Sequence, residues 1–167
     1  APASLVMLDL EDSIPRGDDE ALARGRDHVV RALEELDWGR KLRCFRPRGL
    51  ELDPGFRDVF DVVGRAGRRL EGVIYPKVDG PEEVRLLDEA LIEAEAEAGL
   101  EVGRIRVEVL IESVEAEARL EAIAASTPRL VGLIFGAFDY WSSMGLDPSL
   151  YRPDHPLVMD LRSRLVK

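Results

Sequence analysis

Apolar residues form five short runs along the chain, and each run leads into a charged residue. The runs and the charges after them are 5–8 before Asp9, 44–45 before Arg46, 73–75 before Lys77, 109–111 before Glu112, and 130–135 before Asp139. A continuous apolar run bounded by turn residues is typical of a strand buried on both faces. Helical patterns separate the runs, so we predict a parallel sheet. Its charged edge is the carboxyl end of the strands, where ligands bind in such folds.

The same pattern predicts the order of the elements. We predict strands at 5–9, 41–46, 72–76, 105–111 and 130–135, and helices at 20–37, 56–70, 81–98, 115–126 and from Leu157 onward, with a loop at 142–156. Asp18 or Asp19 is expected to cap the first helix, Pro81 to begin the third and Gly99 to end it. The fold class is therefore α/β, either an open doubly wound sheet or part of a (β/α)8 TIM-type barrel. The chain has no Gly-x-Gly-x-x-Gly after its first strand and no phosphate-loop signature, which disfavours a nucleotide-binding sheet.

Composition limits the function classes. The 167 residues suffice for one sizeable core, and we expect a single domain over 1–167. A formal charge of −10 disfavours non-specific binding to nucleic acid or to an anionic membrane. No apolar stretch reaches the ~18 residues that a membrane span needs. No cationic segment followed by an apolar one opens the sequence, so we expect no secretion. The single cysteine, Cys44, is read as core filler and fits a reducing compartment, so we expect a cytoplasmic protein.

Glu112 and Asp139 follow neighbouring strands and are the strongest candidates for chemistry. Two carboxylates that converge on one pocket repel each other unless a cation or a shared proton separates them. Two hard oxygen ligands, with water and substrate completing the shell, suit Mg²⁺. Gly136, shortly before Asp139, allows close backbone approach. The alternative is that each carboxylate caps a helix or pairs with an arginine; we favour the metal site because the two adjoin.

Four other charged residues belong to the same edge. Arg46 is suited to hold a substrate carboxylate in a bidentate fork, or it forms a salt bridge to a neighbouring acid. Glu11 and Asp12 are candidates to hydrogen-bond metal-bound water, with helix-start or ion-pair roles as the alternative. Lys77 is either a phosphate or carboxylate partner or an internal ion pair, and the sequence does not separate these roles.

The chain resembles the citrate lyase β-subunit and malyl-CoA lyase group of the HpcH/HpaI aldolase superfamily. The matching segments are 8–15 (Leu-Asp-Leu-Glu-Asp-Ser-Ile-Pro), Arg46, 56–67, 75–78 (Tyr-Pro-Lys-Val), 108–113 (Glu-Val-Leu-Ile-Glu-Ser) and 135–140 (Phe-Gly-Ala-Phe-Asp-Tyr). The resemblance implies a (β/α)8 barrel, with Mg²⁺ held by Glu112 and Asp139 and Mn²⁺ as a substitute. It implies that Arg46 grips a 2-oxo acid, with further substrate contacts at Lys77, Gly136 and Ala137.

The function implied by this resemblance is a Mg²⁺-dependent carbon–carbon lyase. Such an enzyme cleaves a 3-hydroxyacyl-CoA, for example malyl-CoA or a citryl thioester, to a 2-oxo acid and an acyl thioester, or runs the reverse condensation. The resemblance assigns catalytic roles to Arg46, Glu11 and Asp12 and implies a homo-oligomer, a trimer or hexamer. The alternatives are an aldolase that acts on free 2-oxo acids without CoA, and a non-catalytic barrel remnant that acts as a subunit.

The chain departs from the family pattern at several positions and in extent. Arg48 stands where relatives commonly have Asn, Ala116 and Arg119 stand where Gly and Asn are usual, and Glu20 replaces a frequent Lys. The match begins at the expected second barrel strand and stops after the sixth. We therefore expect an incomplete barrel of about five βα units, as a fragment or as a protein completed by another chain.

Overall fold

The computed structural model describes residues 3–166 and contains one parallel sheet of five strands. The strands are β1 (Leu5–Asp9), β2 (Leu42–Arg46), β3 (Gly72–Tyr75), β4 (Arg106–Ile111) and β5 (Leu130–Phe135). They pair in chain order, from β1 at one edge to β5 at the other. A doubly wound sheet reverses its strand order partway across, whereas a barrel keeps it. The consecutive order therefore confirms the barrel-type alternative.

Seven helices lie between or after these strands within the described residues. They are α1 (Asp19–Glu35), α2 (Arg57–Ala66), α3 (Pro81–Glu97), α4 (Val114–Ala118), α5 (Leu120–Ala124), α6 (Ala137–Ser143) and α7 (Pro156–Leu165), with 3-10 turns at Gly67–Arg69 and Pro148–Leu150. Asp18 caps α1 by accepting the Ala21 amide at 2.8 Å, Pro81 begins α3, and Gly99 follows α3 with φ 64°. These three predicted helix signals are confirmed.

One predicted helix was wrong, and one short helix was not predicted. The single helix predicted at 115–126 is broken at Arg119, whose φ of −119° and ψ of 16° leave the helical region and divide it into α4 and α5. Helix α6 was not predicted: it begins at Ala137, just after the correctly predicted fifth strand, and places Asp139 in its first turn. The aromatic run around Asp139 lacks the apolar spacing that marks an amphipathic helix, which is why periodicity missed it.

The core lies between the helices and one face of the sheet. Strand residues such as Phe45, Val73 and Val109 are fully buried there against the apolar sides of the helices. Side chains alternate across a strand, so the intervening residues face the other way. Cys44, Ile74 and Leu110 form a separate small cluster on that second face. The helices therefore cover one face of the sheet only, as on the outside of a barrel.

A buried ion pair anchors the amino ends of β4 and β5. Arg129, just before β5, donates to both carboxylate oxygens of Glu95, at 3.0 and 2.7 Å. Glu95 is fully buried and also accepts the amides of Gly103 and Ile105, each at 2.7 Å. These hydrogen bonds pair the carboxylate of Glu95, which α3 would otherwise bury in the core without partners.

None of the helices at residues 3–166 is long and apolar enough to cross a bilayer.

Candidate active site at the carboxyl ends of the strands

A cavity of about 460 Å³ opens where the strands end. It is lined by Glu11, Arg16, Gly49, Leu50, Glu51, Leu52, Lys77, Asp79, Glu83, Glu112, Ser113 and Asp139. The lining thus has six carboxylates and two cationic side chains. Glu112, Asp139, Glu11 and Lys77, all predicted site residues, lie together in it. Such an excess of negative charge in one cavity favours a bound cation.

Glu112 is buried in the cavity wall and held by a backbone amide. It directly follows β4, is 6% exposed, and accepts the backbone amide of Lys77 at 2.9 Å through Oε2. Burial raises the pKa of Glu112 to about 7; the amide of Lys77 opposes this rise and the charge of Asp139 adds to it. Asp139, in the first turn of α6, is half-buried. Two carboxylates that disfavour each other's charge are therefore held in one cavity.

Gly136 acts on the site through Glu112. A Cβ on Gly136 would overlap Cγ and Oε1 of Glu112 and lie 2.7 Å from its Cδ. The glycine has an ordinary φ of −85°, so its need is space rather than backbone freedom. Ala137 follows as the first residue of α6. The absence of a side chain at Gly136 is what permits the Glu112 carboxyl to occupy its place.

Lys77 connects the two sides of the cavity. Its φ of 50° is in the left-handed region, which is uncommon for a residue with a side chain. This conformation directs its backbone amide to Glu112, while its ammonium group pairs with Glu11 and lies 3.5 Å from Asp12. Strained backbone of this kind occurs where surrounding contacts over-determine it, often at functional sites. The structure therefore shows an ion pair at Lys77, and a ligand-binding role for this residue stays a prediction.

Arg46 is enclosed by acids at the end of β2. Its Nε and Nη2 donate to the two oxygens of Asp9 at 2.7 and 2.8 Å, and Nη2 also reaches Asp12 at 3.3 Å. Burial raises the pKa of Asp9, but the hydrogen bond and charge of Arg46, together with the amides of Glu11 and Ser13, outweigh it, so the pKa lies below its usual value. The bidentate pair fixes the guanidinium plane, and Arg46 itself is not among the residues that line the cavity.

Glu11 has one oxygen without a hydrogen bond. The residue is 5% exposed, and its Oε2 lies 3.3 Å from Nη1 of Arg46 without hydrogen-bond geometry. Burial raises the pKa of Glu11, the hydrogen bond from Lys77 opposes this, and Asp12 adds to the rise. A buried acceptor left unpaired is costly, so an additional donor or cation at this point would stabilise the site.

A model of the HpcH/HpaI aldolase/citrate lyase family matches residues 1–167. The chain belongs to this family. Its match to the L-malyl-CoA/beta-methylmalyl-CoA lyase of Cereibacter sphaeroides is 41% identical over 144 residues, covering 86% of this chain and 44% of that protein. The malyl-CoA/beta-methylmalyl-CoA/citramalyl-CoA lyase of Chloroflexus aurantiacus is 30% identical over 147 residues, 88% of this chain and 41% of that protein. The family recognised from the motifs is thereby confirmed.

The fold has a counterpart among solved structures. The Haloferax volcanii malate synthase magnesium/glyoxylate complex superimposes with a TM-score of 0.80 at 24% identity, covering 97% of this chain and 50% of that chain. This likeness supports the barrel-type fold. The chain spans less than half the length of the curated relatives named above.

The family's sequence motifs did not reveal the wall of the cavity. Residues 49–52 form part of the lining. Arg48, which directly precedes them, donates to Asp58 at 2.9 and 3.1 Å and so anchors the start of this segment. Asp58 is fully buried and also accepts from Arg26 at 3.0 Å. An aspartate on the apolar side of α2 was the available signal, because a buried carboxylate requires a partner. The arginine that departs from the family pattern is thus neutralised within this chain.

Two further departures follow Glu112 in the chain: Ala116 lies in α4, and Arg119 lies at the break between α4 and α5. Ala116 is fully buried and belongs to the core. Arg119 lies near the rim of the cavity, with its Nη1 3.4 Å from the Asp79 carbonyl oxygen. Asp79 and Glu83 line the cavity but were not predicted, although they follow β3 within ten residues and share its strand end.

Proposed function

We propose that this chain provides the metal- and oxo-acid-binding part of a Mg²⁺-dependent carbon–carbon lyase. The substrate would be a 3-hydroxyacyl-CoA of the malyl-CoA type, cleaved to a 2-oxo acid and an acyl thioester or formed by the reverse condensation. The observation that carries the proposal is the placement of Glu112 and Asp139 in one cavity, with Glu112 fixed by the Lys77 amide. The names of the two curated relatives support the substrate class.

The carboxylates fit a hard divalent cation. Among residues 3–166 no three Asp, Glu, His or Cys side chains form a complete metal cage. Two protein oxygens from Glu112 and Asp139 would therefore leave several coordination positions to water and substrate, an arrangement that Mg²⁺ favours and Mn²⁺ accepts. When bound, the ion would polarise the carbonyl of a 2-oxo acid as a Lewis acid. It would also offset the cost of burying the Glu112 charge, the main cause of its raised pKa, and the smaller repulsion from Asp139.

Arg46 and its neighbours would handle the charge of the oxo acid. Asp9 holds the guanidinium in one plane, and Nη1 faces the unsatisfied Oε2 of Glu11. A substrate carboxylate that reached Nη1 would gain a charge-assisted hydrogen bond from a donor already oriented. Glu11 and Asp12 would accept hydrogen bonds from water in the cavity. Gly136 and Ala137 would bring the start of α6 close to the substrate, and Lys77 would position Glu11 and Glu112.

The complete catalytic unit is proposed to extend beyond this chain. β1 and β5 pair on one side only within residues 3–166, and the second face of the sheet is without helices. Strand edges of this kind are normally covered or closed. We propose a homo-oligomer in the cytoplasm, with a trimer or hexamer as the working expectation.

The decisive experiment is calorimetric titration of the chain with Mn²⁺, followed by glyoxylate. Wild type should bind the ion and then the oxo acid, whereas Glu112→Gln and Asp139→Asn should each weaken Mn²⁺ binding by about tenfold to a hundredfold. Glu101→Gln, an exposed change of the same chemistry, serves as the control. Unaltered Mn²⁺ binding in both site variants would refute the proposal. Turnover of free hydroxy-oxo acids but not of malyl-CoA by the complete enzyme would favour the CoA-independent aldolase.

A further inference from the structure

We propose that Arg16 is an anion-binding residue of the site, one that contacts carboxylate or phosphate oxygens of the ligand. The inference rests on the proposed function. Arg16 is one of only two cationic side chains that line the 460 Å³ cavity among the described residues. It also lines a second cavity of about 230 Å³, which shares Glu11, Arg16 and Leu52 with the first. Arg16 therefore lies where the two cavities meet.

The other cations around these cavities are already neutralised. Arg46 is paired with Asp9, and Lys77 is paired with Glu11. Arg48, which lines the second cavity, is paired with Asp58. Arg16, by contrast, makes no salt bridge and no side-chain hydrogen bond to residues 3–166, in spite of the acids nearby. Among the cations that line these two cavities, it is thus the one without an acidic partner in residues 3–166.

The backbone fixes the position from which Arg16 acts. Pro15 through Asp18 form a turn in which the Asp18 amide donates to the Pro15 carbonyl oxygen at 3.4 Å, and Gly17 has φ 77°. A glycine with positive φ at the third position is the mark of a type II turn, which places Arg16 at the second position. The turn is held on one side by Ile14, whose side chain packs against Gly25 of α1. Arg16 therefore extends from a defined turn rather than from a helix surface.

The charge of the proposed substrate creates a need for such a residue. A cation bound by Glu112 and Asp139 would meet the oxo-acid end, but a CoA thioester also carries phosphate groups, and half of the twelve residues that line the cavity are acidic. Arginine binds both carboxylate and phosphate through paired donors, which lysine does not reproduce. The shared chemistry is an oxyanion, and its source is either the oxo-acid carboxylate or a phosphate of the carrier.

Calorimetric titration of the 167-residue chain in excess Mn²⁺ tests the inference. The variants are Arg16→Met, Arg16→Lys and, as a control, Arg31→Met, which removes an exposed charge that is paired with Glu35 on α1. The ligands are glyoxylate, CoA, pantetheine (which lacks the phosphates) and inorganic pyrophosphate. We expect Arg16→Met to weaken binding of one anion by roughly tenfold, Arg16→Lys to be intermediate, and Arg31→Met to match wild type.

The outcomes separate the two ligand sources and the two proposals. Weaker glyoxylate binding assigns Arg16 to the carboxylate, and weaker CoA binding with unchanged pantetheine binding assigns it to phosphate. Equal affinity of wild type and Arg16→Met for both anions overturns the inference. If wild type binds neither glyoxylate nor CoA, the proposed function fails, and pyrophosphate decides for Arg16: a loss specific to Arg16→Met supports the anion site, and its absence refutes it.

Discussion

Replacing Gly136 by alanine is the most direct test of how the site is built. The added Cβ would overlap the Glu112 side chain, with 2.7 Å to its Cδ. Because the φ of Gly136 is −85°, alanine causes no backbone strain, and the whole effect must come through Glu112. The glutamate is 6% exposed and has little room to move, so its carboxyl must leave the Lys77 amide.

The magnitude follows from the two interactions that change. Overpacking by one methyl group costs about 1–3 kcal/mol, and a lost hydrogen bond to a charged group costs about 1.5–3 kcal/mol. Since Glu112 can relax partly, we expect the free energy of unfolding of Gly136→Ala to fall by about 2–4 kcal/mol. Under the proposed function, displacement of Glu112 should also weaken Mn²⁺ binding, by about tenfold to a hundredfold. Urea unfolding and Mn²⁺ titration measure the two effects separately.

A control variant and a double mutant separate the clash with Glu112 from other effects of the added methyl group. Gly64→Ala introduces the same methyl group in α2, where no atom lies within 4 Å, and should stabilise the helix by up to about 1 kcal/mol. In a Glu112→Ala background the clash partner is gone, so adding Gly136→Ala should cost almost nothing. The reasoning is refuted if Gly136→Ala retains wild-type stability and Mn²⁺ affinity, or if its cost persists in the Glu112→Ala background.

Three further predictions concern pH, the buried ion pair and the cavity wall. Because the pKa of Glu112 is raised to about 7, the folded chain retains a proton that the unfolded chain releases above pH ~4.5. Metal-free stability should therefore fall from pH 5 to 7 in urea titrations; a wild-type profile parallel to that of Glu112→Gln would contradict this. Arg129→Met should lower the free energy of unfolding by about 3–5 kcal/mol because its buried carboxylate partner is left unpaired; a loss below 1 kcal/mol would be evidence against this. Asp58→Asn should speed hydrogen exchange in segment 47–56 by releasing Arg48, and unchanged exchange there would exclude the anchoring role.

The strands and the gathering of Glu112 with Asp139 could be predicted from sequence because both depend on local patterns. Apolar runs mark buried strands, and parallel strand ends must share an edge. The sequence did not predict how each charge is partnered. Arg46 and Lys77 each had two plausible roles, and only three-dimensional contacts show that Asp9 and Glu11 neutralise them.

The sequence pattern also failed to predict elements that lack regular apolar spacing. Helix α6 consists largely of aromatic and small polar residues, and the break at Arg119 is a matter of backbone angles that composition does not encode. The wall at 49–52 depends on Arg48 reaching Asp58 on the next helix, which is a tertiary contact. Such contacts lie beyond pattern reasoning because they join segments that have no common period.

The Glu95–Arg129 pair lies at the end of the strands opposite the cavity. The interaction that stabilises β4 and β5 is thus separated from the residues that line the cavity. A laboratory evolution campaign can vary residues 49–52 and position 16 in search of altered ligand binding without touching the interaction that secures β4 and β5. Libraries that include Arg129 would, by the same logic, lose most of their members to misfolding before selection for catalysis begins.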